Sequence, residues 1–250
     1  MKLCVLMCWF GLSLGFGGES LRLLTVGDSI TQGGVRGREE YTYRLPLQRI
    51  LHERGVAFRF LGTRVAGFQR GTSWPDVAEG VPFQPNHFAF YGGRTADVAR
   101  NLRDELPRID PPDVVLIHLG TNDLSLNQDE TAILNPLRNM VGQLRDRNPE
   151  VMILLAHLNF NSGPALRLRP KVEALAEELD RERSPVRTVP MYRNWIENPQ
   201  DPQTDTFDWL HPNPRGQRKM AEAWMQVLRS LFDDESASTH GFPTVGNGGD

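Results

Sequence analysis

The sequence predicts an α/β fold: a three-layer α/β/α sandwich on a parallel sheet of about five strands. Three observations predict it. Apolar, β-branched runs alternate along the chain with amphipathic stretches of helical length, the signature of strand–helix–strand units. Two of those runs, Asp113–Leu119 and Val151–Leu158, are apolar almost throughout, as strands buried on both faces of a parallel sheet must be. The chain has 250 residues, enough for one such domain with its own core.

The elements follow in order. Leu23–Val26 reads as a buried strand that Gly27 stops, with Asp28 or Ser29 opening a turn. Tyr41–Gly55 carries Leu45, Leu47, Ile50 and Leu51 at helical spacing and ends on a glycine; Pro46 belongs in its first turn. Val56–Gly62 alternates as a second strand. Residues 62–86, rich in Gly, Pro, Ser and Asp, form a long loop holding Trp74, and loops of that length in compact domains are commonly functional. His87–Tyr91 reads as a short third strand before Gly92-Gly93, and Thr95–Leu106 as a helix capped by its threonine. After the 113–119 strand come a helix over Glu130–Asn148, interrupted by Pro136, and the 151–158 strand. A charged helix over Pro170–Arg183, a weaker strand over Val186–Tyr192 and a helix over Pro214–Phe232 complete the domain, with a flavodoxin-like strand order.

The two ends differ from this domain. Residues 1–20 begin with Met1-Lys2, continue with an apolar run from Leu3 to Phe16, and finish among small residues; they read as an export signal. That run is shorter than the ~20 residues a spanning helix needs, so stable membrane insertion is not expected. Cys4 and Cys8 are the only cysteines, and removal of the leader leaves a secreted or periplasmic protein without thiols or disulfides. Residues 233–250 are small, polar and Gly-rich, a composition expected to stay disordered. Net charge is −3 with no run of Lys or Arg, which gives nucleic acid nothing to bind. A monomer is expected.

The chemistry gathers where strands end. Ligands of open α/β sheets bind at the carboxyl edge, and four loops there carry polar groups of one logic. The first offers Ser29, a hydroxyl on a rigid strand-to-turn junction. The third offers the Gly92-Gly93 turn, whose amides can approach a ligand closely. The fourth offers the Asn122 amide. The last offers Asp208-Trp209-Leu210-His211. Acyl transfer to water needs this set. A serine attacks as it loses its proton, so a base of the imidazole type is the natural partner, and His211 is available. Asp208, three residues earlier, can orient that ring. Negative charge on the tetrahedral intermediate calls for donors: the Ser29 N–H, the Gly93 N–H and the Asn122 side chain. Asp28 and Asp123 read as residues that cap turns, His118 as a core histidine, His157 and Asn159 as residues at the edge of the site. Four acidic or imidazole groups near one edge resemble a metal site, but the serine and the amide have no task in one, so no metal or other cofactor is expected.

Gly27-Asp28-Ser29-Ile30-Thr31-Gln32-Gly33, Gly120-Thr121-Asn122-Asp123 and Asp208-Trp209-Leu210-His211 occur in this order across nearly the whole mature chain. They resemble the conserved blocks of the SGNH (GDSL) hydrolase superfamily. The resemblance implies Ser29 as nucleophile, His211 as base and Asp208 as its partner. It also implies an oxyanion hole from Ser29, Asn122 and a second-block glycine. Gly93-Arg94-Thr95 fits the family's glycine-x-threonine turn, with Gly92 as the alternative. The segment from Tyr43-Arg44-Leu45 to Gly93 is similar to bacterial carbohydrate esterases of the acetylxylan type. Those usually carry acidic and glycine residues after the histidine matching His87, where this chain has Phe88-Ala89-Phe90. The expected function is a secreted serine esterase that removes short acyl groups, acetyl above all, from small or polymeric carbohydrate esters. The alternatives are a lysophospholipase- or thioesterase-type acyl hydrolase and a carbohydrate-binding protein without turnover.

Overall fold

A computed structural model describes residues 20–35, 39–161 and 163–238. The export signal (apart from Ser20), its two cysteines, and residues 239–250 of the expected tail lie outside the described residues. The sheet is built on β1 (Leu21–Gly27), β2 (Phe58–Leu61), β3 (Phe88–Ala89), β4 (Val114–His118), β5 (Met152–Ala156) and β6 (Val186–Val189). Its order is β2-β1-β4-β5-β6, with all pairs parallel and β3 attached to β1. Every residue of β4 and β5 is buried, which is why those two runs carry no polar alternation.

Two apolar layers close the sandwich. One face of the sheet packs on α3 (Thr95–Glu105), α5 (Thr131–Arg147) and α6 (Gly163–Leu179), through residues such as Val115, Ile117, Leu102, Met140 and Leu175. The other packs on α2 (Arg44–Glu53) and α7 (Pro214–Ser238), through Leu116, Leu154, Leu47 and Trp224. Two short helices, α1 (Ser29–Gln32) and α4 (Thr121–Ser125), sit at the carboxyl ends of β1 and β4.

Three elements depart from the sequence-based expectation. The third strand shrinks to Phe88–Ala89 and pairs with Val26–Gly27, while β2 pairs with Leu21–Leu24. The two therefore lie end to end along one side of β1, and β3 has a neighbour for two residues only. The helix expected from Pro170 begins at Gly163, with Pro170 inside it. Ala165 and Leu168 are buried in the core, and that burial outweighs the hydrogen bond the proline cannot make. The last helix runs to Ser238, six residues into the segment expected to be disordered. α4 had no signal of its own in the sequence.

Candidate active site

Gly27 ends β1 where an added Cβ would lie 2.1 Å from Thr31 Oγ1 and 3.0 Å from the His118 carbonyl. Only glycine lets the chain turn there. Asp28 then caps α1, its Oδ1 accepting the Ile30 N–H at 2.9 Å. Ser29 follows as the first residue of the helix. The residue is 2% exposed, and its own N–H, at a helix start, has no acceptor among the described residues.

Between β6 and α7 the chain makes an irregular excursion that ends in the turn Asp208–His211. Asp208 Oδ1 accepts the His211 N–H at 2.8 Å, which closes the turn, and Trp209 takes a positive φ of 69° within it. The same carboxylate reaches the His211 ring: Nδ1 lies 3.0 Å from Oδ2 and 3.1 Å from Oδ1. The opposite nitrogen, Nε2, is 3.1 Å from Ser29 Oγ, across 182 residues of sequence. With Nδ1–H donated to the carboxylate, Nε2 presents its lone pair to the serine hydroxyl. The excursion is anchored from below by buried Asp205, which accepts the Ile196 N–H at 2.8 Å and holds Lys219 Nζ of α7 at 2.6 Å.

The amide of Asn122, on α4, lies between Gly93 and Asp28, the neighbour of the serine. Its Nδ2 donates to the Gly93 carbonyl at 3.0 Å and lies 3.5 Å from Asp28 Oδ2. The two candidate glycines of the second block differ in how their amides are engaged. The Gly93 N–H is donated to the Phe90 carbonyl at 2.8 Å, closing a tight turn, just as the Asn122 amide is held by the Gly93 carbonyl and Asp28. Among the described residues the Gly92 N–H has no acceptor; Gly92 is exposed and sits at a φ of 73°, a conformation that favours glycine.

Electrostatics around the serine are set by burial. Asp28 is fully buried, and desolvation, with the nearby charge of Asp123, raises its pKa from 3.8 to about 7 against the opposing Ile30 hydrogen bond. Asp123 is occupied elsewhere: it accepts the Thr95 N–H at 3.0 Å and the Thr95 hydroxyl at 2.9 Å, tying α4 to the start of α3. His118 is buried with Nε2 against Asn159 Oδ1 at 2.8 Å, and burial lowers its pKa to about 4. Asn159 thus serves the core. Trp74 packs with Phe83 and Tyr41, Trp195 is buried, and Trp209 is 55% exposed beside the Asp208–His211 turn.

Two residues of this neighbourhood, Gln32 of the first motif block and Tyr91 at the end of the third strand, had no role assigned from the sequence. Gln32, the last residue of α1, accepts the Tyr91 N–H at 2.6 Å and donates to the Ala66 carbonyl at 3.3 Å. The Tyr91 ring lies against His211, with centroids 5.4 Å apart and planes 19° from parallel.

The model of the GDSL-like lipase/acylhydrolase family matches residues 25–219, from β1 into α7. The chain belongs to that family. Among solved structures, a family 3 carbohydrate esterase of Clostridium thermocellum is similar at 26% identity and a TM-score of 0.67, over 86% of this chain and 100% of that one. A family 3 carbohydrate esterase of Talaromyces cellulolyticus matches at 21% identity and 0.66, over 86% and 99%. An acetyl esterase captured with an acetate ion matches at 21% and 0.68, also over 86% and 99%. Comparison with curated protein sequences finds none that matches. This GDSL acylhydrolase is a carboxylic ester hydrolase with carbohydrate esterases among its structural neighbours.

Proposed function

We propose that this acylhydrolase is an exported serine esterase that hydrolyses O-acetyl esters of carbohydrate, with Ser29 as nucleophile, His211 as base and Asp208 as its orienting partner. The observation that carries the reading is the continuous line from hydroxyl to imidazole to carboxylate, at 3.1 Å and 3.0 Å. As Ser29 Oγ bonds to the acetyl carbon, its proton passes to His211 Nε2, and the imidazolium is held by Asp208. The carbonyl oxygen becomes an oxyanion that accepts from the Ser29 N–H, the Asn122 amide and a second-block glycine N–H, with Gly92, whose N–H has no acceptor among the described residues, beside Gly93 as the candidate donors. Collapse breaks the ester bond, and Nε2–H gives its proton to the departing sugar oxygen. A water, deprotonated by the same nitrogen, then attacks the acetyl-serine; acetate leaves and Ser29 recovers its proton. No step calls for a metal ion or an organic cofactor. The carbohydrate part of the reading is supported by the family 3 carbohydrate esterases among the neighbours and by the 41–93 segment; export is supported by the composition of residues 1–20.

The test is acetate release from acetylated xylan and from acetylated monosaccharides by wild type and by Ser29→Ala. The reading expects release by the wild type that the variant lacks; equal release by both overturns it. One observation favours a second reading. A cavity of about 230 Å³, lined by Leu124, Leu158, Phe160, Trp209 and Leu210 with Thr121 and Ser125, borders the Asp208–His211 turn through Trp209 and Leu210 and has room for an apolar chain. A series of p-nitrophenyl esters separates the two: a deacetylase loses activity beyond short chains, whereas a lipid-side acyl hydrolase gains it.

A further inference from the structure

Hydrogen bonds alone leave the proposed base under-constrained. The two bonds of His211, Nδ1 to Asp208 and Nε2 to Ser29, leave from opposite sides of the ring and together define a line. The ring can rock about that line without stretching either bond. Asp208 is itself 38% exposed in its side chain, so the carboxylate end is open to water as well. A contact against the flat face of the imidazole would remove the remaining freedom, and there is one. Tyr91 lies nearly parallel to it at 5.4 Å, and Phe68 backs Tyr91 at 4.0 Å and 29°.

The stack is held by the helix that carries the nucleophile. Gln32 of α1 fixes the Tyr91 backbone through its Oε1 at 2.6 Å. The next two residues fix Phe68 and its neighbour, with the Phe68 N–H on the Gly33 carbonyl at 2.7 Å and the Gln69 N–H on the Gly34 carbonyl at 3.1 Å. Gly34 and Gly67 meet so closely that a Cβ on Gly34 would lie 2.4 Å from the Gly67 Cα. Serine and imidazole therefore share one rigid frame although 182 residues separate them. Phe68 is itself 53% exposed, so it stands on the solvent side of the Tyr91 ring.

We infer that Tyr91 is a positioning residue for the base: backed by Phe68 and held by Gln32, its ring keeps the His211 imidazole in the plane that faces Ser29. The inference rests on His211 being the base. The ring face also meets the positive charge that His211 acquires in the transition state, an attraction that a tyrosine and a phenylalanine supply alike and an aliphatic side chain does not. The effect therefore falls on turnover, not on substrate binding.

The experiment compares Tyr91→Phe, Tyr91→Leu, Gln32→Met and His211→Ala on p-nitrophenyl acetate, with thermal unfolding of each as a check on folding. Tyr91→Phe is expected to keep kcat within about 2-fold, because it keeps the ring. Tyr91→Leu and Gln32→Met are expected to lose roughly 10-fold in kcat with KM nearly unchanged. A rise in KM at constant kcat would make Tyr91 a wall of the substrate crevice and overturn the inference. So would equal losses in the Phe and Leu variants, or wild-type turnover in Tyr91→Leu. An active His211→Ala would instead overturn the assignment of the base, and the two failures are told apart by that variant alone.

Discussion

Replacing Asp28 by asparagine isolates one buried charge. Asp28 is 0% exposed, and its pKa rises from 3.8 to about 7, chiefly because burial penalises the carboxylate. The sign follows from proton binding. Between those values the folded protein holds a proton on Asp28 that the unfolded chain has released, so folding loses stability as the pH rises through the window. At 1.36 kcal/mol for each tenfold change, the full cost of ionisation is about 4 kcal/mol, of which about 2–3 kcal/mol develops between pH 5 and pH 8. Asparagine keeps an oxygen for the Ile30 N–H and carries no charge, so its stability lacks this component. The assay is urea denaturation of wild type and Asp28→Asn at several pH values, reading the difference between the two proteins. That difference removes every other titrating group common to both. It is expected to move in favour of the variant by about 2–3 kcal/mol from pH 5 to pH 8, whatever its starting value. A difference that stays flat, or that moves in favour of the wild type, would refute the reasoning: Asp28 would then be an ordinary or a stabilised carboxylate.

The other predictions concern the frame around the site. Gly27→Ala places a methyl group 2.1 Å from Thr31 Oγ1 and against the His118 carbonyl, so it is expected to destabilise the protein by about 1–3 kcal/mol and to depress kcat by tilting α1; an unchanged Tm would count against the close approach. His87 and His118 are held neutral by burial, with pKa values lowered to about 2 and about 4, and Arg44 adds to the shift of His87. Their unfolded pKa is near 6.5, so the stability they contribute is present above that value and is lost as the pH falls toward those of the folded state. In NMR spectra the ring C–H signals of both are expected to stay in place from pH 7 to pH 5, and a shift of either with a midpoint near 6.5 would contradict the structure.

What the sequence could and could not disclose follows from the range of the interactions involved. Strands β4 and β5 are buried on both faces, and a residue buried on both faces has one requirement, to be apolar; the run itself therefore spells out the element. Ser29, Asn122 and the Asp208–His211 turn were legible for a related reason: each stands at the end of a strand or inside a short turn, where local geometry restricts the residue type to a few. Asp28 as the cap of α1 belongs to this group, since its partner is two residues away. Which of the Gly92 and Gly93 amides the Phe90 carbonyl takes was not legible, because that is a detail of φ and ψ with no trace in composition. The extent of α6 was hidden likewise, for by local rules Pro170 belongs at a helix start, and the burial of Ala165 and Leu168 in the core carries the helix back past it to Gly163. Gln32 and Tyr91 lie furthest from local rules. Gln32 falls inside the first motif block and Tyr91 before two glycines, but neither position says what the side chain holds; that is seen only when residues 32, 68, 91 and 211 come together in space. Side chains that act on substrate are constrained by chemistry and can be read from their type, whereas side chains that hold those groups in place are constrained only by the shape of the assembled fold.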